Sequence, residues 1–350
     1  MNRRKALKTL SSIAAGSCFY GLPIQPYARQ FDDGEMFSGM SVKELFNQAL
    51  ESEPSLIGFS NVESNYPLTA LTLEGDLPVD IQGYFYRNGP AKLERGDIRY
   101  QHLFEGDGMM QQFCFSEGKV THQGKFIETE KYINEDAASQ FLYSGPDTKL
   151  KNSLPVISLD SINTANTSML AVGDDLWALW EAGSPIAMNP RTLETKGVVN
   201  LGESGGVGKL GRFSQSLKGL PFSAHPKVEP NGDIWNFGLK ETGHIVLFHL
   251  NSNGKVKNVA VINAQYKCRM LHDFLITEKH ILLILPSLYD LRNEDTSSGY
   301  FSGIRFEKEQ PMRVLVVDKA NLRIKRQYEL PAAFAFHFGN AWEDFRSEER

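Results

Sequence analysis

A short polar turn between two apolar strands recurs four times along this 350-residue chain, and that repeat constrains the fold more than any other feature. It reads Phe115-Ser116-Glu117-Gly118-Lys119-Val120, then Met188-Asn189-Pro190-Arg191-Thr192-Leu193. It returns as Leu250-Asn251-Ser252-Asn253-Gly254-Lys255-Val256 and as Val317-Asp318-Lys319-Ala320-Asn321-Leu322. The turns start at 116, 189, 251 and 318, at intervals of 73, 62 and 67 residues. Asn, Asp and Gly tolerate the left-handed backbone that such reversals need. Each interval holds one four-stranded sheet with insertions, so the repeat predicts an all-β chain built of propeller blades. A pair of packed β-sandwiches is the alternative, although one sandwich seldom needs so many strands.

Strand-like runs precede the first turn, at Tyr84-Phe85-Tyr86 and Gln111 to Phe115, and fill the intervals, at Val120 to Phe126, Leu176 to Trp180, Ile234 to Phe237, Ile245 to Leu250, Ile281 to Leu285 and Val314 to Val317. Ser41-Val42-Lys43-Glu44 is a capping box that starts a short helix ending near Glu53-Pro54. No comparable helical stretch follows Pro67. The domain reading is therefore a leading segment 1–30, an extension with a short helix 31–55, and a β-propeller domain 56–350. An apolar fraction of 41% is ample for a packed core. A net charge of -5 with dispersed basic residues makes nucleic acid an unsuitable partner. Cys18, Cys114 and Cys268 form neither a metal motif nor a disulfide framework.

The leading segment has a basic start, Arg3-Arg4-Lys5, then a short apolar run from Leu10 to Leu22. This is the build of an export signal with a twin-arginine-like pair, and it predicts a periplasmic or exported protein. If the signal does not function, the protein is cytoplasmic and the segment is an amphipathic tail.

Three of the eight histidines stand in matching settings, each at the edge of an apolar run. These are His225 in Phe222-Ser223-Ala224-His225-Pro226-Lys227, His272 in Met270-Leu271-His272-Asp273-Phe274, and His337 in Phe334-Ala335-Phe336-His337-Phe338-Gly339. Their separations, 47 and 65 residues, are close to one blade each. Inner strands of adjacent blades converge on the propeller axis, so one histidine from each could meet there and build an imidazole-only metal site. A core histidine is the alternative for any of them taken singly. His122, His244, His249 and His280 sit at ordinary strand or loop positions, while His102 precedes the turn Gly106-Asp107-Gly108.

Beyond the histidine segments, five others matter: Tyr84-Phe85-Tyr86-Arg87-Asn88-Gly89-Pro90, His102-Leu103-Phe104-Glu105-Gly106-Asp107-Gly108-Met109, Phe126-Ile127-Glu128-Thr129-Glu130-Lys131-Tyr132, Asn163-Thr164-Ala165-Asn166-Thr167 and Asn189-Pro190-Arg191-Thr192-Leu193-Glu194-Thr195. In this order, from about residue 56 onward, they resemble the signature segments of the carotenoid cleavage oxygenases.

The resemblance implies a seven-bladed propeller carrying ferrous iron on four histidines, of which His225, His272 and His337 match the first three. The fourth would fall after Arg350, so the chain reads as a propeller without its last blades. Glu181, in Trp180-Glu181-Ala182-Gly183, matches a family glutamate placed behind a ligand imidazole; a solvated strand-end carboxylate is its other reading. The activity implied is O2-dependent cleavage of a carbon-carbon double bond in a carotenoid or apocarotenoid, with peripheral membrane contact at the entrance. Phenylpropanoid stilbenes are the other substrate class; relatives acting on them set a lysine and a tyrosine against the phenol. Lys131 stands near that lysine's place, although the sequence reads it as a solvent-facing strand-end residue. Phe274 and Phe338 are candidates for a cavity wall or for core packing. An inactive metal- or apocarotenoid-binding fragment and a protein-binding propeller are the rival readings.

Overall fold

In a strand, successive side chains point to opposite faces, so a run that is apolar throughout needs an apolar partner on each side. Ile245–Leu250, Ile-Val-Leu-Phe-His-Leu, is such a run apart from His249, and the computed structural model shows both partners. Ile245 and Leu247 pack with Trp235, Phe237, Ile281, Leu283 and Leu315. Val246, Phe248 and Leu250 face the other way, onto Leu170, Val172, Trp177 and Phe222. The structure describes residues 39–202, 217, 219–263, 270–290 and 303–344, so segment 1–30 with Cys18, and also Cys268, lies outside the described residues.

Four antiparallel sheets of four strands carry this alternation. Blade I orders its strands Gly83–Lys92, Asp107–Ser116, Lys119–Phe126 and Tyr66–Ala70, so its last strand comes from upstream in the chain. Blade II is a meander of Ser168–Val172, Asp175–Leu179, Ile186–Met188 and Thr195–Val198. Blade III runs through Lys227–Val228, Ile234–Leu239, Ile245–Leu250 and Val256–Ile262. Blade IV runs through Leu275–Ile276, His280–Leu285, Met312–Asp318 and Arg323–Leu330. Three apolar clusters lie between successive blades, and the strands of blades II and III divide their side chains between the two clusters on either side. This serial face-to-face packing is the propeller arrangement that the turn repeat predicts.

The turns themselves differ in one respect. Those at 189, 251 and 318 join the third and fourth strands of blades II, III and IV. The turn at 116 joins the second and third strands of blade I, because Tyr66–Ala70 has taken the fourth place. At 189 and 318 the chemistry repeats: Asn189 and Asp318 accept from main-chain amides in the turn, and Leu193 (φ 56°) and Leu322 (φ 57°) close it in the left-handed region.

Helix α1, Val42–Ser52, starts on the expected Ser41–Glu44 capping box. A second helix, α2, spans Glu130–Ala138 with Thr129 capping its N-terminus, against the expectation of no helix after Pro67. Its residues show no apolar stripe because its buried side chains are Lys131 and Glu135, an i,i+4 ion pair turned inward. Lys131 is thus a buried helical residue, which corrects its reading as a solvent-facing strand-end lysine. No helix of the described residues is long and apolar enough to cross a membrane.

Phe248 is fully buried between blades II and III. Phe248→Ala is expected to lower stability by about 3–5 kcal/mol, measured by urea unfolding. A loss below about 1 kcal/mol would show that packing between blades does not hold the fold together.

Candidate metal centre

Each candidate ligand lies at a blade's edge rather than within a sheet. His225 stands two residues before Lys227–Val228, the first strand of blade III, and His272 stands just before Leu275–Ile276, the first strand of blade IV. His337 follows the last strand of blade IV. The segment leading to His225 is fixed by Ser223 N donating to Phe237 O (2.8 Å) and by Asn236 Nδ2 donating to Ser223 O (2.7 Å). Gly238 makes this close approach possible, since a Cβ there would lie 1.7 Å from Pro221 O. Ser168 of blade II adds a hydrogen bond from its Oγ to Ala224 O.

The structure brings His225, His272 and His337 together. Nε2 of His272 lies 2.8 Å from Nε2 of His225 and 3.1 Å from Nε2 of His337, and one nitrogen from each ring falls within 4.8 Å of the others. Two metal–imidazole bonds of about 2.1 Å at a right angle would set their nitrogens about 3.0 Å apart, so the cluster fits a metal ion. Burial above all, then the neighbouring His272 and His337 rings, lowers the His225 pKa to about 4 despite the pull of Asp273. A neutral imidazole is the form a metal requires.

Glu181, just after the second strand of blade II, places Oε1 3.2 Å from His272 Nδ1. Burial pushes this carboxyl up, while the contact with His272 opposes the rise. A carboxylate at Nδ1 favours the tautomer protonated there and leaves the Nε2 lone pair aimed at the cluster. Phe336 stands edge-on to the His272 ring at 5.5 Å, and Phe334 packs on Phe336 at 4.7 Å.

The remaining histidines do not join them. His102 begins the short 3-10 turn Leu103–Glu105, His122 packs on Phe113, and His249 stacks on Trp235 with Asp233 at its Nε2. His244 contacts Thr242, and His280 contacts Glu343. Phe274 is fully buried against Phe237, which makes it core rather than cavity wall; Phe338 is half-buried. Cys114 is a half-buried free thiol.

A second charged group was not legible from the sequence. Lys131 Nζ donates to Asp107 (2.6 Å) and Glu135 (2.9 Å), and Arg95 donates to Asp107 (3.1 Å) and Asp136 (2.8 Å). Burial works against the charge on Lys131, but the carboxylates of Asp107 and Glu135 outweigh it and raise its pKa. The Tyr100 ring lies 5.2 Å from its Nζ.

Residues 59–349 match the family model described as retinal pigment epithelial membrane protein. The chain is a member of this carotenoid oxygenase family. The apocarotenoid-15,15'-oxygenase of Synechocystis is 31% identical over 314 residues, covering 83% of this chain and 59% of that protein. Lignostilbene-alpha,beta-dioxygenase isozyme III of Sphingomonas paucimobilis is 28% identical over 78% of this chain and 54% of its own length. The chain of this oxygenase family member therefore spans little more than half of these relatives. Crystal structures of cobalt-substituted Synechocystis ACO (TM-score 0.69, 29% identity) and of an ACO/RPE65 chimera (TM-score 0.70, 28% identity) each align with 83% of this chain and 61% of their own.

A His225 pKa of about 4 in the fold, against about 6.5 unfolded, fixes a direction. As pH falls from about 6.5 toward 4, the unfolded chain takes up a proton that the fold refuses, so stability is lost. Urea unfolding of the metal-free protein should show a steeper loss across that window than in His225→Ala. Equal slopes in the two proteins would refute the depressed value.

Proposed function

We propose that this chain carries the iron centre of a non-haem dioxygenase that cleaves a carbon-carbon double bond of a carotenoid or apocarotenoid to two carbonyl products. The observation that supports this most strongly is the convergence of three imidazole Nε2 atoms with a carboxylate behind the middle ring. His225, His272 and His337 would hold iron(II), which when bound supplies the chemistry of O2 activation. O2 delivers one oxygen atom to each carbon of the alkene, so the balance needs no further reductant.

The protein's own part is geometric and electrostatic. Neutral imidazoles would bring no anionic charge to the metal, which favours the ferrous over the ferric ion. Phe336, edge-on to His272, and Phe334 packed on it offer flat apolar surfaces beside the cluster, suited to a conjugated polyene. The membrane origin of such substrates makes peripheral membrane contact part of this reading, and segment 1–30 is proposed as an export signal.

A stilbene substrate is the second reading, and buried Lys131 favours it. With Tyr100 alongside, it forms a lysine–tyrosine pair of the kind used against a phenol.

Iron-loaded protein supplied with an apocarotenal and, separately, with 4-hydroxystilbene should release two carbonyl fragments per O2 from one of them. His225→Ala, His272→Ala and His337→Ala should each lower iron content and cleavage together. Activity that survives all three substitutions would exclude the centre, and iron bound without cleavage of either compound would favour a binding role.

A further inference from the structure

The three imidazoles sit on segments 224–228, 271–276 and 335–339, which come from different places in the chain. Among the described residues, no main-chain hydrogen bond joins one of these segments to another. A single carboxylate does what the backbone does not. Asp273 directly follows His272, and its side chain is 3% exposed. Its Oδ1 accepts from Lys227 Nζ (2.6 Å) and Phe274 N (2.8 Å), and its Oδ2 accepts from Phe338 N (3.0 Å). Lys227 lies two residues after His225, and Phe338 lies one after His337. From its place beside His272, this one side chain therefore reaches a residue within two positions of each of the other imidazoles.

We propose that Asp273 is a positioning residue that holds the three imidazole segments in register, so that the Nε2 separations exist before a metal arrives. This rests on the metal-binding reading above. The two oxygens face different donors, one the Lys227 ammonium and the other the Phe338 amide. A carboxylate can accept on both sides, whereas a carboxamide accepts on one and presents N–H on the other. Asn at this position would therefore turn a donor toward either the His225 segment or the His337 segment. Lys227 also lies over the Phe274 ring at 5.6 Å, which braces it against the core of blade IV. A ligand set held in place pays its ordering entropy during folding, and the gain appears as metal affinity.

Cobalt(II) chloride titrated into the parent chain, Asp273→Asn and Lys227→Met tests the proposal, with dissociation constant and visible d–d spectrum as readouts. Val120→Ala, in the blade I core, serves as a destabilised control whose metal-free urea midpoint is compared with theirs. Asp273→Asn and Lys227→Met should bind cobalt about 10–100-fold more weakly, with altered d–d bands, while the control keeps the parental constant and spectrum. If Asp273→Asn does not fold, Lys227→Met decides alone, because Lys227 is partly exposed and its loss leaves both main-chain bonds to Asp273 in place. Parental constants and spectra in the folded variants overturn the proposal. A parent chain that takes up no cobalt fells the metal reading itself, and the clamp with it.

Discussion

Strands that are apolar on both faces can be stable only between two other sheets, and the rest of this structure depends on that constraint. In blade III, odd and even positions of Ile245–Leu250 commit to different neighbours, one set to blade IV and the other to blade II. Such packing leaves little freedom in how one blade sits on the next, since each cluster is shared by two sheets. The ends of the blades are fixed as a result. The loops entering blades III and IV, each with its histidine, are brought to one place by packing that lies elsewhere.

At that place the electrostatics run in a consistent direction. Burial and mutual proximity keep protons off His225, and Glu181 stands behind the ring that touches both others. No carboxylate is among the three converging groups, so negative charge is supplied from behind the rings rather than at the centre. Asp273 completes the arrangement by joining the backbones that carry the rings. Its charge is used on Lys227 and two amides, which leaves the imidazoles free of competing anions at Nε2.

Most of the strands in the core were legible from the sequence because they are long and apolar: Ile234 to Phe237, Ile245 to Leu250 and Ile281 to Leu285 all lie in observed strands. Short edge strands such as Lys227–Val228 and Leu275–Ile276 left no pattern, since two residues carry no period. Helix α2 was hidden because its inward face is an ion pair, which inverts the hydrophobic signal. The histidines could be singled out by their repeated apolar settings, and Glu181 only through the family resemblance. Asp273 could not, because its role comes from Phe338, 65 residues away, and nothing local marks that contact. Tyr100 and Lys131 likewise meet only through the fold.

X-ray absorption at the iron edge tests the central claim most directly. Iron(II)-loaded protein should show a nitrogen shell with the outer scattering of imidazole rings, reduced by one ring in each single His→Ala variant at positions 225, 272 and 337. A spectrum dominated by oxygen ligands, or one unchanged by those substitutions, would contradict a three-imidazole centre.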